Sequence, residues 1–343
     1  MKRDIVEIPV TLKEINSEIN VVSFKIPGVY FREPFFIDSL AKNFRILKSQ
    51  IRLPNENELL SRPVYYDEES KEVVLTPIKD FIAKYSLVTS SLDLEKRLGF
   101  IFHMSRCGST LFTQMLGSSN KFFVLSEPTI INAVLDPLLK IDFSTRERLL
   151  KACIRGLNSC SPIESEMMII KFRSWNILFI DLILGCFKKV PWIFIHRDGV
   201  EVLASVIEKP PGWLRSKNLY TDYFSQILNI DTIQMRNMES IEFGIRLLGR
   251  FCIKAKEYQS DNKVFLDYND IKADFFDILL NHWGIELTES ERTESLRISS
   301  LYSKDVENKK TFTSDKDEKQ KKITKQQRKQ VLDLVESERH KLI

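Results

Sequence analysis

Residues 99–117 read GFIFHMSRCGSTLFTQMLG. The apolar run Phe100-Ile101-Phe102 passes into a small polar loop, Ser105-Arg106-Cys107-Gly108-Ser109-Thr110. A helical pattern carried by Leu111, Phe112, Met115 and Leu116 follows. A strand, a tight loop and a helix N-terminus in succession make a phosphate cradle, because loop N–H groups and the positive end of the helix dipole face the same anion. The nucleotide-hydrolase form of this cradle reads GxxxxGKS or GxxxxGKT, with the Lys beside the last hydroxyl residue. Here no Lys precedes Ser109 or Thr110, and the cation stands earlier, at Arg106. The loop is suited to holding a nucleotide phosphate without the Lys–Mg²⁺ arrangement.

Outward from the cradle, strand-like runs at Phe100–Met104, Phe122–Leu125, Met167–Phe172, Trp192–His196 and Val264–Tyr268 alternate with amphipathic stretches. The latter run over Thr110–Leu116, Ile130–Leu139, Arg146–Leu157, Trp175–Phe187, Gly199–Ile207, Ile241–Tyr258 and Ile271–Trp283. Apolar β runs separated by helices predict an α/β fold with a doubly wound, mainly parallel sheet flanked by helices. Such sheets bind ligands at the carboxyl ends of their strands. His103, Glu127, Lys171 and Arg197 each fall at or just after such an end.

Residues 1–97 read as an N-terminal extension or cap, with β-like runs at Val21–Ile26 and Glu72–Leu75, the latter pairing with Pro63–Tyr66 across a polar turn. A short helix fits Ile78–Ala83. The α/β domain then covers 98–343. Within it, 208–235 lacks clear periodicity and reads as a lid or substrate loop. Residues 301–330 form a basic segment with ten Lys or Arg against five acids. The end of the chain, from Gln326, reads as an exposed amphipathic helix with Val331, Leu332 and Val335 inward.

The net charge of +4 on 343 residues is too small to point to nucleic acid and fits a local basic cleft for an anion. Five cysteines without CxxC or His/Cys ligand spacing argue against a disulfide framework or a zinc site, and no metal is expected. The amino end is charged throughout and no apolar stretch is long enough to span a bilayer, so the expectation is a cytoplasmic protein.

Three separated blocks give the chain a resemblance to the sulfotransferases that use 3′-phosphoadenosine 5′-phosphosulfate (PAPS). MSRCGSTL at 104–111 is similar to the family's 5′-phosphosulfate loop, commonly PKSGTTW or PRSGTTL. WIFIHRDGVEVLAS at 192–205 resembles its 3′-phosphate block, with a Ser eight residues after the Arg. VFLDYNDI at 264–271 is similar to its VxYEDL strand. The likeness covers about residues 98–290. The nearest in motif is the tyrosylprotein sulfotransferase-like branch, through FFVLSEPT with Glu127 and MIIKFRSW with Lys171. Phe172 and Arg173 depart from that branch's KDP-like sequence. The family's closing RKG motif is absent, which leaves Lys304, Lys309 or Lys310 as substitutes.

The resemblance implies a PAPS-dependent enzyme with 3′,5′-adenosine bisphosphate as product. Arg106, Cys107, Gly108, Ser109, Thr110 and Leu111 would hold the 5′ side. Arg197 and Ser205 would hold the 3′-phosphate, with Lys304 nearby. Glu127 would be the base, its pKa raised by partial burial, with His103 as the competing base. Lys171 would steady the bridging oxygen. Each residue also has a plain structural reading: a capping Arg, a helix N-terminal acid, a satisfied core His, a surface Lys. Trp213 and Tyr220 could line an acceptor or adenine pocket or simply pack. The acceptor would be a small molecule or peptide. The alternatives are an ATP-dependent P-loop kinase or NTPase, which the missing Lys opposes, and a non-catalytic nucleotide-binding protein.

Overall fold

The computed structural model describes residues 5–27, 72–86, 94–162, 164–300 and 323–342. In chain order the elements are β1 (Ile5–Ile15), β2 (Glu18–Pro27), β3 (Glu72–Pro77), α1 (Ile78–Ser86), β4 (Leu98–His103), α2 (Ser109–Gly117), β5 (Phe122–Ser126), α3 (Thr129–Val134), α4 (Phe143–Asn158) and β6 (Met167–Lys171). They continue with α5 (Ile180–Cys186), β7 (Trp192–His196), α6 (Gly199–Glu208), α7 (Gly212–Arg215), α8 (Thr221–Leu228), α9 (Thr232–Asn237), α10 (Ser240–Glu257), β8 (Lys263–Asp267), α11 (Ile271–Asp277), α12 (Glu289–Ser299) and α13 (Lys325–Val331). Strands β1–β3 form an antiparallel sheet, β5 pairs with β6, and β4, β7 and β8 pair in the order β4-β7-β8. The chain divides into two compact units, Met1–Leu98 with Ser119–Lys171 and Cys186–Lys188, and Gly99–Ser118 with Phe172–Gly185 and Lys189–Ile343.

In the first unit, β1 and β2 form a hairpin closed by Asn16 and Ser17 at φ 49° and 64°, the paired left-handed geometry of a two-residue hairpin turn. β2 also pairs with β3, Val22 opposite Leu75. The described partner of β3 is therefore β2, and the run Pro63–Tyr66 lies outside the described residues. β1 itself escaped the sequence reading. Pro9 interrupts its alternation, and the register shifts between Pro9 and Thr11 on this edge strand, where a missing N–H is tolerated. The same unit carries the parallel pair β5–β6, in register from Phe122 opposite Met167 to Ser126 opposite Lys171.

In the second unit β4 pairs with β7 and β7 with β8, all parallel. β4 and β7 are buried along their whole length, which suits strands covered on both faces. Phe102 stacks on Phe172 at 4.7 Å and meets Trp192 edge-on at 5.8 Å.

Two expectations change here. The stretch 208–235 is not irregular: it folds into α7, α8 and α9. Asn229 ends α8 at φ 52°, and Asp231 caps α9 by accepting from the N–H groups of Ile233 and Gln234. The buried Lys217 ammonium donates to the carbonyls of Arg236 and Met238, sealing the far end of α9. Helices of four to eight residues are too short for a hydrophobic period to show. At the chain's end, Val331 and Val335 are fully buried one turn apart, whereas Leu332 is 51% exposed, so it does not face inward.

Candidate functional site

The loop after β4 is built from left-handed backbone. Ser105, Arg106 and Gly108 have φ of 80°, 52° and 82°. Gly108 is the N-cap of α2 and contributes no side-chain cap, and the first turn of α2 holds no acid. Its leading N–H groups lack intrahelical acceptors and its dipole is uncompensated, the condition for receiving an anion. Ser109 is buried and Thr110 half-buried at this end.

His103 holds the loop from below. Its Nδ1 accepts from the Ser105 N–H at 3.2 Å and its Nε2 lies 3.1 Å from the Phe172 carbonyl. These partners assign the tautomer with the proton on Nε2. With both nitrogens engaged on backbone, the buried imidazole shapes the cradle, which is the core-histidine reading open from sequence. The Cys107 thiol turns down to the Ile195 carbonyl at 3.1 Å, so this residue meets an anion only through its backbone. One guanidinium nitrogen of Arg106 donates to the Lys209 carbonyl at 2.5 Å, beyond the C-terminus of α6.

Arg197 follows β7. Its Nε donates to Glu201 at 2.7 Å, and the guanidinium lies 4.1 Å from the centre of the Tyr268 ring. Glu201 and Ser205, four and eight residues on, share its side of α6. The Tyr268 ring also closes over the cradle: a Cβ on Gly108 would collide with Tyr268 Cδ2 and meet Cε2 at 2.6 Å. One aromatic ring therefore touches both the loop glycine and the rim arginine. The sequence reading missed Tyr268, although the block VFLDYNDI contains it. Nothing in the linear order shows that a residue after β8 will cover a loop after β4.

Beneath Arg197, His196 is 1% exposed, with Nδ1 3.4 Å from Asp267 Oδ2, longer than a good hydrogen bond. Burial pushes its pKa down to about 4, against the opposing pull of the Asp267 carboxylate.

In the first unit, Lys171 ends β6 with its ammonium 3.1 Å from Glu127 Oε1. The lysine is 3% exposed and the glutamate 36%. Glu127 stands at φ 56°, its N–H bonded to the Lys171 carbonyl at 2.7 Å. A left-handed glutamate is backbone strain of the kind that gathers at functional sites. Trp213 is buried and donates to Ser174 Oγ at 3.1 Å; Tyr220 packs on Trp175 at 5.2 Å. Lys304, Lys309 and Lys310 lie outside the described residues. Among the described residues, no group of three or more His, Cys, Asp or Glu side chains could hold a metal, and no helix is long and apolar enough to cross a membrane.

Fold and site together define an α/β protein in which a loop–helix corner and an arginine after β7 share one aromatic neighbour, Tyr268. No family model matches the chain, and no curated protein matches it in sequence. Among solved structures, the mouse sulfotransferase SULT7A1 complexed with PAP is similar at 12% identity over 80% of this chain and 94% of that one, with a TM-score of 0.42. The sulfotransferase STF9 from Mycobacterium avium is similar at 15% identity over 64% and 71%, TM-score 0.41. The sulfotransferase domain of the curacin biosynthetic pathway is similar at 11% over 60% and 78%, TM-score 0.37. At these scores the likenesses decide nothing, and the functional reading rests on the chain's own residues.

Proposed function

We propose that the protein is a sulfotransferase that moves a sulfuryl group from PAPS to a hydroxyl or amine of a small-molecule or peptide acceptor, in the cytoplasm. The observation that carries the reading is the Tyr268 ring, which lies against both Gly108 and the Arg197 guanidinium. The loop suited to one phosphate and the cation suited to a second thus share one neighbour, as a nucleotide with two phosphate groups requires. The missing Lys beside Ser109 and Thr110 favours this donor over a triphosphate with Mg²⁺. Five free cysteines, all buried, suit a reducing compartment.

In this reading the N–H groups opening α2, from Gly108 to Leu111, take the 5′-phosphosulfate together with the Ser109 and Thr110 hydroxyls and Arg106. Arg197 and Ser205 take the 3′-phosphate. Cys107 contributes backbone only, and Lys304 is a further cation for the nucleotide. As the acceptor oxygen or nitrogen attacks sulfur, the bond from sulfur to the phosphate oxygen breaks and the acceptor proton passes to Glu127. The sulfuryl group leaves as a sulfate ester or sulfamate, and the phosphate keeps the bonding pair. Neutralising Glu127 removes the carboxylate that balances the Lys171 ammonium, 3.1 Å away, and the lysine charge then serves the departing oxygen. His103 supports the loop, and Glu127 is the base.

Calorimetry with 3′,5′-adenosine bisphosphate against ATP–Mg²⁺ tests this. The bisphosphate should bind and stabilise the protein by about 2.7 kcal/mol at a hundredfold excess over Kd. Arg197→Ala should weaken that binding. Glu127→Gln should leave it intact while lowering transfer at least about a hundredfold. Stabilisation by ATP–Mg²⁺ alone would identify a kinase or NTPase instead. Bisphosphate binding without transfer to alcohols, phenols or amines would identify a nucleotide-binding protein. Equal loss of binding in both variants would refute the division of roles.

A further inference from the structure

The last described stretch of the chain, 323–342, carries an arginine and a glutamate that no step above uses. Arg339 is 8% exposed and Glu336 4%. They are bound in a fork: Arg339 Nε lies 3.0 and 2.9 Å from the two Glu336 oxygens, and one terminal nitrogen lies 2.7 Å from Oε2. Each partner also reaches into a loop at the strand ends. The other terminal nitrogen of Arg339 donates to Asp267 Oδ2 at 2.8 Å. Glu336 Oε1 accepts the Gly199 N–H at 2.6 Å.

The positions of those contacts matter. Asp267 immediately precedes Tyr268, and its other oxygen fixes the turn by accepting the Asn269 N–H at 2.9 Å. Gly199 stands two residues after Arg197. The loops gripped by the Glu336–Arg339 pair are thus the two that present Tyr268 and Arg197, which stack at 4.1 Å. The chain of contacts closes on itself: Arg197 to Gly199, to Glu336, to Arg339, to Asp267, to Tyr268, and back to Arg197. The docking is close. A Cβ on Gly199 would meet Glu336 Oε1, Val331 Cγ1 and Val335 Cγ1, each at 2.9 Å, and a Cβ on Gly249 of α10 would strike the Leu334 carbonyl. A buried ion pair contributes little net stability, since apolar residues of like volume often do as well. Energy alone gives no reason for a charged pair here, whereas a fork that spans a carboxylate and a backbone amide fixes direction.

We propose that Glu336 and Arg339 are positioning residues for the nucleotide grip, holding the Arg197 and Tyr268 loops in the register that recognises a 3′-phosphate. This rests on the reading of Arg197 as the 3′-phosphate ligand. The test uses the full chain carrying Arg339→Gln, with Glu336→Gln as a milder second variant whose amide oxygen still accepts the Gly199 N–H. Two measurements are made.

The first is amide hydrogen exchange of the ligand-free protein, in which exchange at Gly199 and around Tyr268 should quicken in Arg339→Gln. The second is the ratio of affinities for 3′,5′-adenosine bisphosphate and adenosine 5′-monophosphate. That ratio should fall about tenfold as the charge-assisted contact to the 3′-phosphate loosens, with monophosphate affinity falling less because only the Tyr268 contact to Gly108 reaches the 5′ loop. A merely structural role would lower both affinities by the same factor, and that outcome, or unchanged exchange and ratio, overturns the proposal. A wild-type protein that does not prefer the bisphosphate removes the 3′-phosphate reading instead, and the exchange measurement then decides the clamp by itself.

Discussion

At the scale of single residues, Gly108 has the narrowest tolerance. Its φ of 82° costs a side-chain-bearing residue about 1–2 kcal/mol, and a Cβ would also press into the Tyr268 ring. Gly108→Ala should therefore lower the denaturant midpoint by at least the backbone share and weaken bisphosphate binding as Tyr268 is displaced. Adding Tyr268→Leu separates the two causes. If the collision dominates, stability returns in the double variant; if the backbone dominates, it does not. Glu127 shows the opposite choice, since its φ of 56° would suit glycine. The glutamate is held there against its backbone preference, with its carboxylate on a buried ammonium.

At the scale of elements, the β7–β8 pair carries the pH dependence. His196 stands opposite Asp267 in register, buried, with its pKa pushed down to about 4. The unfolded chain protonates this imidazole near pH 6.5, so between pH 6.5 and 4 the unfolded state binds the extra proton. Stability should fall with pH across that window, by at most roughly 1.4 kcal/mol per unit for one group. His282, also lowered by burial, adds in the same direction. Denaturant titrations at pH 7 and 4.5 should show a smaller difference in His196→Asn than in wild type.

The elements also show what the sequence could carry. β4, β6 and β7 are continuous apolar runs and were legible as buried parallel strands, and the cradle was legible because Gly, Ser and Thr stand together between a strand and a helix. Contacts made by residues distant in sequence were not legible. Tyr268 over Gly108, Glu336 on the Gly199 amide and the Lys217 seal on α9 each join segments whose order in the chain says nothing of their meeting. Short helices such as α7 and α9 were lost for want of length, and β1 was masked by Pro9.

At the scale of the whole molecule, thiol chemistry follows from burial. All five cysteines are buried. Burial pushes the thiol of Cys186 up to about 11 and that of Cys160 up to about 12, and it raises Cys153 and Cys252 further. The thiolate is the reactive form, so the native protein should react negligibly with a disulfide reagent at neutral pH and reveal five thiols on unfolding. Rapid reaction of one thiol in the native state would single out Cys107 and a cradle more open than described. The Tyr268 ring has a practical consequence of its own. Fluorine placed on it would give a magnetic resonance sensitive to both the loop glycine and the rim guanidinium, identifiable among nine tyrosines as the signal lost in Tyr268→Phe. Such a reporter would respond in one spectrum to any ligand that settles against either neighbour, before any acceptor is known.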